Sequence, residues 1–209
     1  MKKTIIKDAL ILCLITLVAG FLLGVVHEIT LEPIAAANEA AQQDAYRAVF
    51  EDAEEFVELP DFDAEAATQA AVDAGYTDDT IDGCVQAVDA DGNLLGYVIN
   101  ASDPSSYGGN VTLSLGVRVD GTVNGYSITD INDTAGLGMK AAEEDFSSQY
   151  ENKQVEAFVV TKTGAASDEE IDAISGATIT SDAVTRAVNA GLAYYRSLMD
   201  QTGGELLNE

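Results

Sequence analysis

Histidine is almost missing from this chain: His27 is the single one in 209 residues. His-rich metal sites are therefore excluded, and a Ser–His–Asp triad is disfavoured. Cysteine is nearly as scarce. Cys13 and Cys84 are too few for a Cys-rich zinc site or an iron–sulfur cluster. Cations are scarce too, with 10 Lys+Arg against 36 Asp+Glu and a net charge of −26. A field of that sign repels phosphate backbones and argues against nucleic acid as a partner. What is present suffices for one domain with accessories. Hydrophobic residues make up 47% of the chain, enough for a packed core.

The charge is unevenly placed. Lys2, Lys3 and Lys7 precede position 9 with Asp8 as the one acid, whereas seven cations face 35 acids after Val26. Between them, Ala9–Val26 carries no charge over 18 residues. As a helix that run spans roughly 27 Å, close to the hydrocarbon thickness of a bilayer. The sequence thus predicts a cytoplasmic N-terminus at 1–8, a transmembrane helix at 9–26, and the remainder on the outer face by the positive-inside rule. The run is longer than the apolar region of a cleaved signal, and Ala35–Ala37 come late for a cleavage site, so an anchor is expected. Cys13 then lies in the membrane helix and Cys84 in the outer part, where a buried strand position is expected.

Tyr46, Val49, Phe50, Ala53, Phe56 and Val57 recur at helical spacing, which predicts one helix over 27–58, ending near Pro60. Asp63–Ala74 reads as a second short helix stopped by Gly75. Strands follow. Cys84–Val88 and Leu94–Ala101 flank the turn Asp89–Asn93, and Val111, Leu113, Leu115, Val117 and Val119 alternate on one face. Asp120-Gly121 turns the chain into a strand over Val123–Ile131. A short helix is expected at Lys140–Tyr150, a strand at Val155–Thr161, and a closing helix at Asp182–Met199 striped by Val184, Val188, Leu192, Tyr195 and Met199. The fold class is α+β: a twisted antiparallel sheet with helices packed on it. The expected division is a helical packing region at 27–80, a main domain at 81–200 and a frayed tail at 201–209.

Three loops of small residues stand out: Ser105–Asn110, Asp133–Met139 and Asp172–Ser181. In the third, Thr180 or Ser181 is a suitable N-cap for the last helix. Backbone N–H groups at a helix start, with hydroxyls from Ser175, Thr178, Thr180 and Ser181, suit a phosphate. The same residues also read as an ordinary capped helix after a glycine turn. The glycines of the other two loops likewise serve as plain turn glycines.

Asp172-x-x-Ser175-Gly176-Ala177-Thr178 resembles the flavinylation motif of the FMN-binding domain family. That family includes the G subunit of the Rnf electron-transport complex and the C subunit of the sodium-pumping NADH:quinone reductase. The run Ile179-Thr180-Ser181, the Tyr107-Gly108-Gly109 loop and the Thr134-x-Gly136-Leu137-Gly138 loop are similar to further stretches of the family. Where the family commonly has Glu-Thr-Pro-Gly-Leu-Gly, Asp133 and Ala135 replace Glu and Pro here. The resemblance covers roughly residues 100–195.

It implies FMN held by a phosphoester at Thr178, placed there by a separate flavin transferase that uses FAD, with Asp172 as a recognition element for that enzyme. The implied cofactor-binding residues are Thr178, Ser175, Gly176, Ala177, Ile179, Thr180, Tyr107, Gly108, Thr134, Gly136, Leu137 and Gly138. Tyr107, Leu137 and Met139 are candidate walls for the flavin ring, and Lys140 a candidate counter-charge. No catalytic side chain and no metal are implied, because the flavin carries the electrons. The implied role is a membrane-anchored electron carrier of an Rnf-type complex, coupling ferredoxin/NAD electron exchange to Na+ or H+ movement. Its partners would be the other Rnf subunits, the transferase and membrane lipid. The alternatives are the C subunit of the sodium-pumping quinone reductase, a stand-alone flavinylated reductase, and a non-redox anchored binding module.

Overall fold

The computed structural model describes residues 2–202, with side chains from residue 6 to 201. Lys2, Lys3 and the tail beyond Thr202 fall outside the described side chains. The chain forms two compact units, Met1–Ala41 and Gln42–Glu209.

The first unit belongs to a single helix, α1 (Lys2–Val49). Its large apolar residues from Ile6 to Ile34 are left exposed: Phe21 is 69% and Leu23 70% exposed. So long an uncovered apolar surface is what a membrane-spanning helix presents. Among the described residues this is the one helix long and apolar enough to cross a bilayer.

The second unit is built on a five-stranded antiparallel meander: β1 (Glu55–Glu58), β2 (Thr80–Val88), β3 (Leu94–Ser106), β4 (Gly109–Arg118) and β5 (Val123–Ile131), neighbours in that order. Asp89 sets the β2–β3 turn, its carboxylate accepting from the N–H of Asp91 and Asn93 and from the Asn93 amide. The β4 alternation is realised in full for four residues: Val111, Leu113, Leu115 and Val117 are all 0% exposed. Val119 lies past the strand end and is exposed, which corrects its expected place on that face.

These β4 residues pack with Tyr97, Ile99 and Ala101 of β3 against α4 (Thr178–Thr202), through Ala183, Val184, Ala187, Val188 and Leu192. α4 extends through Thr202, so helix occupies the first positions of the expected tail. α2 (Ala64–Asp73) lies in the same core, capped by the Asp63 carboxylate. Its end is a Schellman turn, with Tyr76 N–H bonded to Ala71 O and Gly75 N–H to Val72 O. The sheet's other face is covered by Tyr46, Val49 and Phe50 at the end of α1, packed on Val85, Ala87 and Val98. The α+β expectation stands.

Three expected elements differ. The helix over 27–58 stops at Val49, and Phe56 and Val57 are in β1. Phe56 still joins the same apolar cluster, its ring 5.4 Å from Tyr46, which is why its spacing mimicked a helix. Lys140–Tyr150 is broken into a 3-10 turn at Gly138–Ala142, α3 (Glu144–Ser147) and a second 3-10 turn at Ser148–Tyr150. Finally, the strand expected over Val155–Thr161 shrinks to β6 (Val159–Thr161), paired in parallel with β7 (Glu170–Asp172).

Candidate functional site

The Ser-Gly-Ala-Thr stretch folds as a turn running straight into α4. Ala177 N–H bonds to Ile174 O at 2.9 Å, and Gly176 has φ +81°. A left-handed third residue in a four-residue turn is the type II geometry that calls for glycine. The helix begins at Thr178, not after Thr180 or Ser181, so the expected N-cap moves to Ala177, whose carbonyl accepts the first helical bond from Ser181 N–H. Alanine offers no capping side chain. Ser181 substitutes from within the first turn: its hydroxyl accepts from Ile174 N–H at 2.9 Å and donates to Ala177 O at 3.1 Å. Thr178 is thus held at the helix start, half-buried, and no side chain bonds its hydroxyl among the described residues.

Thr178 borders a cavity of about 610 Å³ lined by Tyr107, Asp133, Thr134, Leu137, Gly138 and residues 176–180. The size is that of an ordinary ligand cleft. Most of the wall is apolar or small, and among the described residues no Lys, Arg or His contributes to it. Tyr107 is 74% exposed, and Leu137 and Ile179 are also exposed. Large apolar side chains left open around a cleft are unfinished packing. The unpaired N–H groups of the first turn of α4 add a positive partial charge at the Thr178 end. An apolar hollow with a free hydroxyl and a helix start beside it fits a group with a flat apolar ring and a phosphate.

The second loop is shaped by the same turn chemistry. Leu137 N–H bonds to Thr134 O at 3.1 Å and Gly136 has φ +76°. Ala135 stands at the second turn position, where proline is favoured. Beyond it, Tyr126 OH donates to Ala141 O at 2.7 Å, and Tyr150 OH meets Thr185 Oγ1 at 2.6 Å, tying the 138–150 segment to β5 and α4.

Of the implied residues, nine line the cavity: Tyr107, Thr134, Leu137, Gly138, Gly176, Ala177, Thr178, Ile179 and Thr180. Gly108 and Gly136 shape the loops without lining it. Ser175 and Asp172 face a neighbouring hollow with Lys140, Glu143 and Gln149. Lys140 thus lies in that hollow, and Met139 lines neither. Asp172 is exposed, its backbone clasped by the Gln149 side chain, which accepts from Asp172 N–H at 2.7 Å and donates to Asp172 O at 3.3 Å.

One residue sequence reasoning did not assign is Asp133. Its Oδ2 accepts from Ser106 Oγ at 2.6 Å and Thr180 Oγ1 at 2.5 Å, and its Oδ1 accepts from Gly108 N–H. One carboxylate therefore ties all three loops together. A Cβ on Gly138 would lie 2.3 Å from Asp133 Oδ2, so that glycine is required for the close approach. The available signal was its position before the Thr-x-Gly-Leu-Gly loop. Cys84 is no rival reactive group, since burial pushes its thiol pKa up to about 12.

Comparison with known proteins meets this geometry directly. Residues 106–193 match the family model of the FMN-binding domain, and residues 1–49 match that of the RnfG N-terminal region. The G subunit of the Na+-translocating ferredoxin:NAD+ oxidoreductase complex of Acetobacterium woodii is 31% identical over 198 residues, 94% of each chain. The chain belongs to the family of Rnf complex G subunits. Another G-subunit relative, from the proton-translocating ferredoxin:NAD+ oxidoreductase complex of Clostridium ljungdahlii, is 30% identical over 96% of this chain and 94% of its own. Among solved structures, the C subunit of the Na+-translocating NADH-quinone reductase of Parabacteroides distasonis superposes with a TM-score of 0.51 at 22% identity, over 70% of this chain and 78% of its own. For this G-subunit family member, that likeness supports the α+β fold.

Proposed function

We propose that this G-subunit family member is a membrane-anchored, covalently flavinylated electron carrier of an Rnf-type ion-translocating complex. The observation that carries the reading is Thr178 at the start of α4, its hydroxyl unpartnered among the described residues, in the lining of the cavity of about 610 Å³. The FMN-binding domain match spans every residue of that cavity.

With no side chain bonded to its hydroxyl among the described residues, Thr178 is an acceptor for an enzyme and not a self-activating nucleophile. A flavin transferase would form the Thr178 Oγ1–phosphorus bond and break the phosphoanhydride of FAD, with AMP leaving. The exposed Asp172, held out by Gln149, is a suitable handle for that enzyme. Once bound, FMN would supply one- and two-electron transfer between partner subunits. The chain's own part is to orient it. Tyr107, Leu137 and Ile179 would cover the ring, while the α4 amides and the Thr180–Asp133 contact fix the attachment end. A tether also prevents loss of the cofactor outside the membrane. The lysines before the apolar run favour a cytoplasmic N-terminus and an outer C-terminal unit. The curated relatives being G subunits favours an Rnf-type complex over the sodium-pumping quinone reductase.

The test is co-expression with a flavin transferase, followed by denaturing electrophoresis under ultraviolet light. A fluorescent band in the wild type that disappears in Thr178→Ala supports the reading. Equal fluorescence in the variant contradicts the attachment site, and a colourless wild type contradicts the electron-carrier role.

A further inference from the structure

A second carboxylate group lies outside the cavity lining, where the loop before β2 meets β3 and α4. Asp79 is 2% exposed and Asp103 is fully buried. One cation acts on both, but it is bonded to Asp103 alone. Arg186, two turns into α4, donates from Nε to Asp103 Oδ2 at 2.8 Å and from Nη2 to Oδ1 at 3.0 Å. Ser105 adds its N–H at 2.7 Å and its hydroxyl at 2.5 Å, both to Asp103 Oδ1. Asp103 thus takes three donors on Oδ1 and one on Oδ2, which leaves acceptor capacity on Oδ2.

Asp79 receives none of them. Its Oδ1 is the one buried side-chain nitrogen or oxygen without a hydrogen-bond partner among the described residues. The Asp79 carboxyl group as a whole, though not that oxygen, meets the Asp103 carboxylate. As a carboxylate, Asp79 would be desolvated, without a donor and beside a second acid. As a carboxylic acid it donates to Asp103 from its other oxygen; the buried charge and the like-charge contact are removed, and Oδ1 remains as a neutral carbonyl oxygen, which costs less to bury unpaired than a charged one.

We propose that Asp79 and Asp103 form a proton-binding site, in which one proton carried by Asp79 and donated to Asp103 is part of the native structure. Burial first, then the charge of Asp103, raises Asp79 to about pKa 7, against the opposing pull of Arg186. The other charged and titratable groups near the site are Asp78, which adds to the rise, Asp182, which acts on Arg186, and Tyr76, which feels both Asp79 and Arg196. Asp103 is three residues before Ser106, so the proton is held by the same strand end that Asp133 ties to the cavity.

An acid whose folded pKa lies above its unfolded value stabilises the fold fully below the unfolded pKa. That contribution is lost as the pH rises from about 4 through 7. The experiment uses the full chain in detergent, produced without a flavin transferase, so that its outcome is independent of flavinylation. Urea unfolding is followed from pH 4 to 8 for the wild type and Asp79→Asn. One retained proton makes the wild-type unfolding constant increase by up to tenfold per pH unit relative to the variant. Parallel pH profiles would overturn the site. Should Asp79→Asn fail to fold, carbon-detected NMR of the wild-type Asp79 carboxyl decides: a midpoint near 7 supports the proposal, and one near 4 overturns it.

Discussion

Two carboxylates grip the far end of β3, and they do so with different chemistry. Asp103 is fully buried and is held by a bidentate Arg186. Asp133 is half-buried at the cavity edge and is held by two hydroxyls and one backbone N–H, with no cation among its hydrogen-bond partners. The first grip sets a strand end against a helix. The second sets three loops around a hydroxyl. A charged, buried pair is rigid and costly to break, whereas neutral donors hold a loop without a cation that would compete for an incoming phosphate.

The comparison breaks most severely at Arg186. Arg186→Met leaves Asp103 and Asp79 buried together without a cation. Removing one partner of a buried pair costs about 3–5 kcal/mol; because the Arg186 side chain is 42% exposed, roughly 2–3 kcal/mol is expected at pH 7. Urea unfolding measures it, and a loss below about 0.5 kcal/mol would show that the pair is not a structural grip. Asp133→Ala should cost less stability, about 1–2 kcal/mol for three released donors that retain some access to water. Its main effect should be on the site, with reduced flavin incorporation per folded protein. Normal incorporation would remove Asp133 from the positioning role.

The smallest effect sharpens the loop side. Ala135→Pro places proline at the second position of the Thr134–Leu137 turn, where its fixed φ is suited, and should stabilise by about 0.4–1 kcal/mol without loss of flavin. Destabilisation would mean the turn is not of the type that Gly136 indicates.

The two grips also show what a sequence discloses. β4 was legible because alternation is a local signal, and all four of its inward residues are fully buried. The helix over 27–58 was overextended because Phe56 feeds the same cluster as Phe50 from a different backbone, and spacing records burial but not the element that provides it. The start of α4 was placed late because Thr180 and Ser181 resemble caps. Their hydroxyls instead reach Asp133 and Ile174 from inside the first turn. Gly176 and Thr178 were legible through motif resemblance. Asp133 was not, because its partners Ser106 and Thr180 lie 27 and 47 positions away. Asp79 was hidden for the same reason: it lies in the loop before β2 and its partner Asp103 is on β3, and no local pattern marks an acid as protonated.

Intact-mass measurement of the chain purified from a transferase-competent host tests the central claim most directly. The account predicts that the wild type gains the mass of one FMN less one water, with peptide mapping placing the addition on Thr178, and that Thr178→Ala retains the unmodified mass. An unmodified wild type, or an addition that persists in Thr178→Ala, would contradict it.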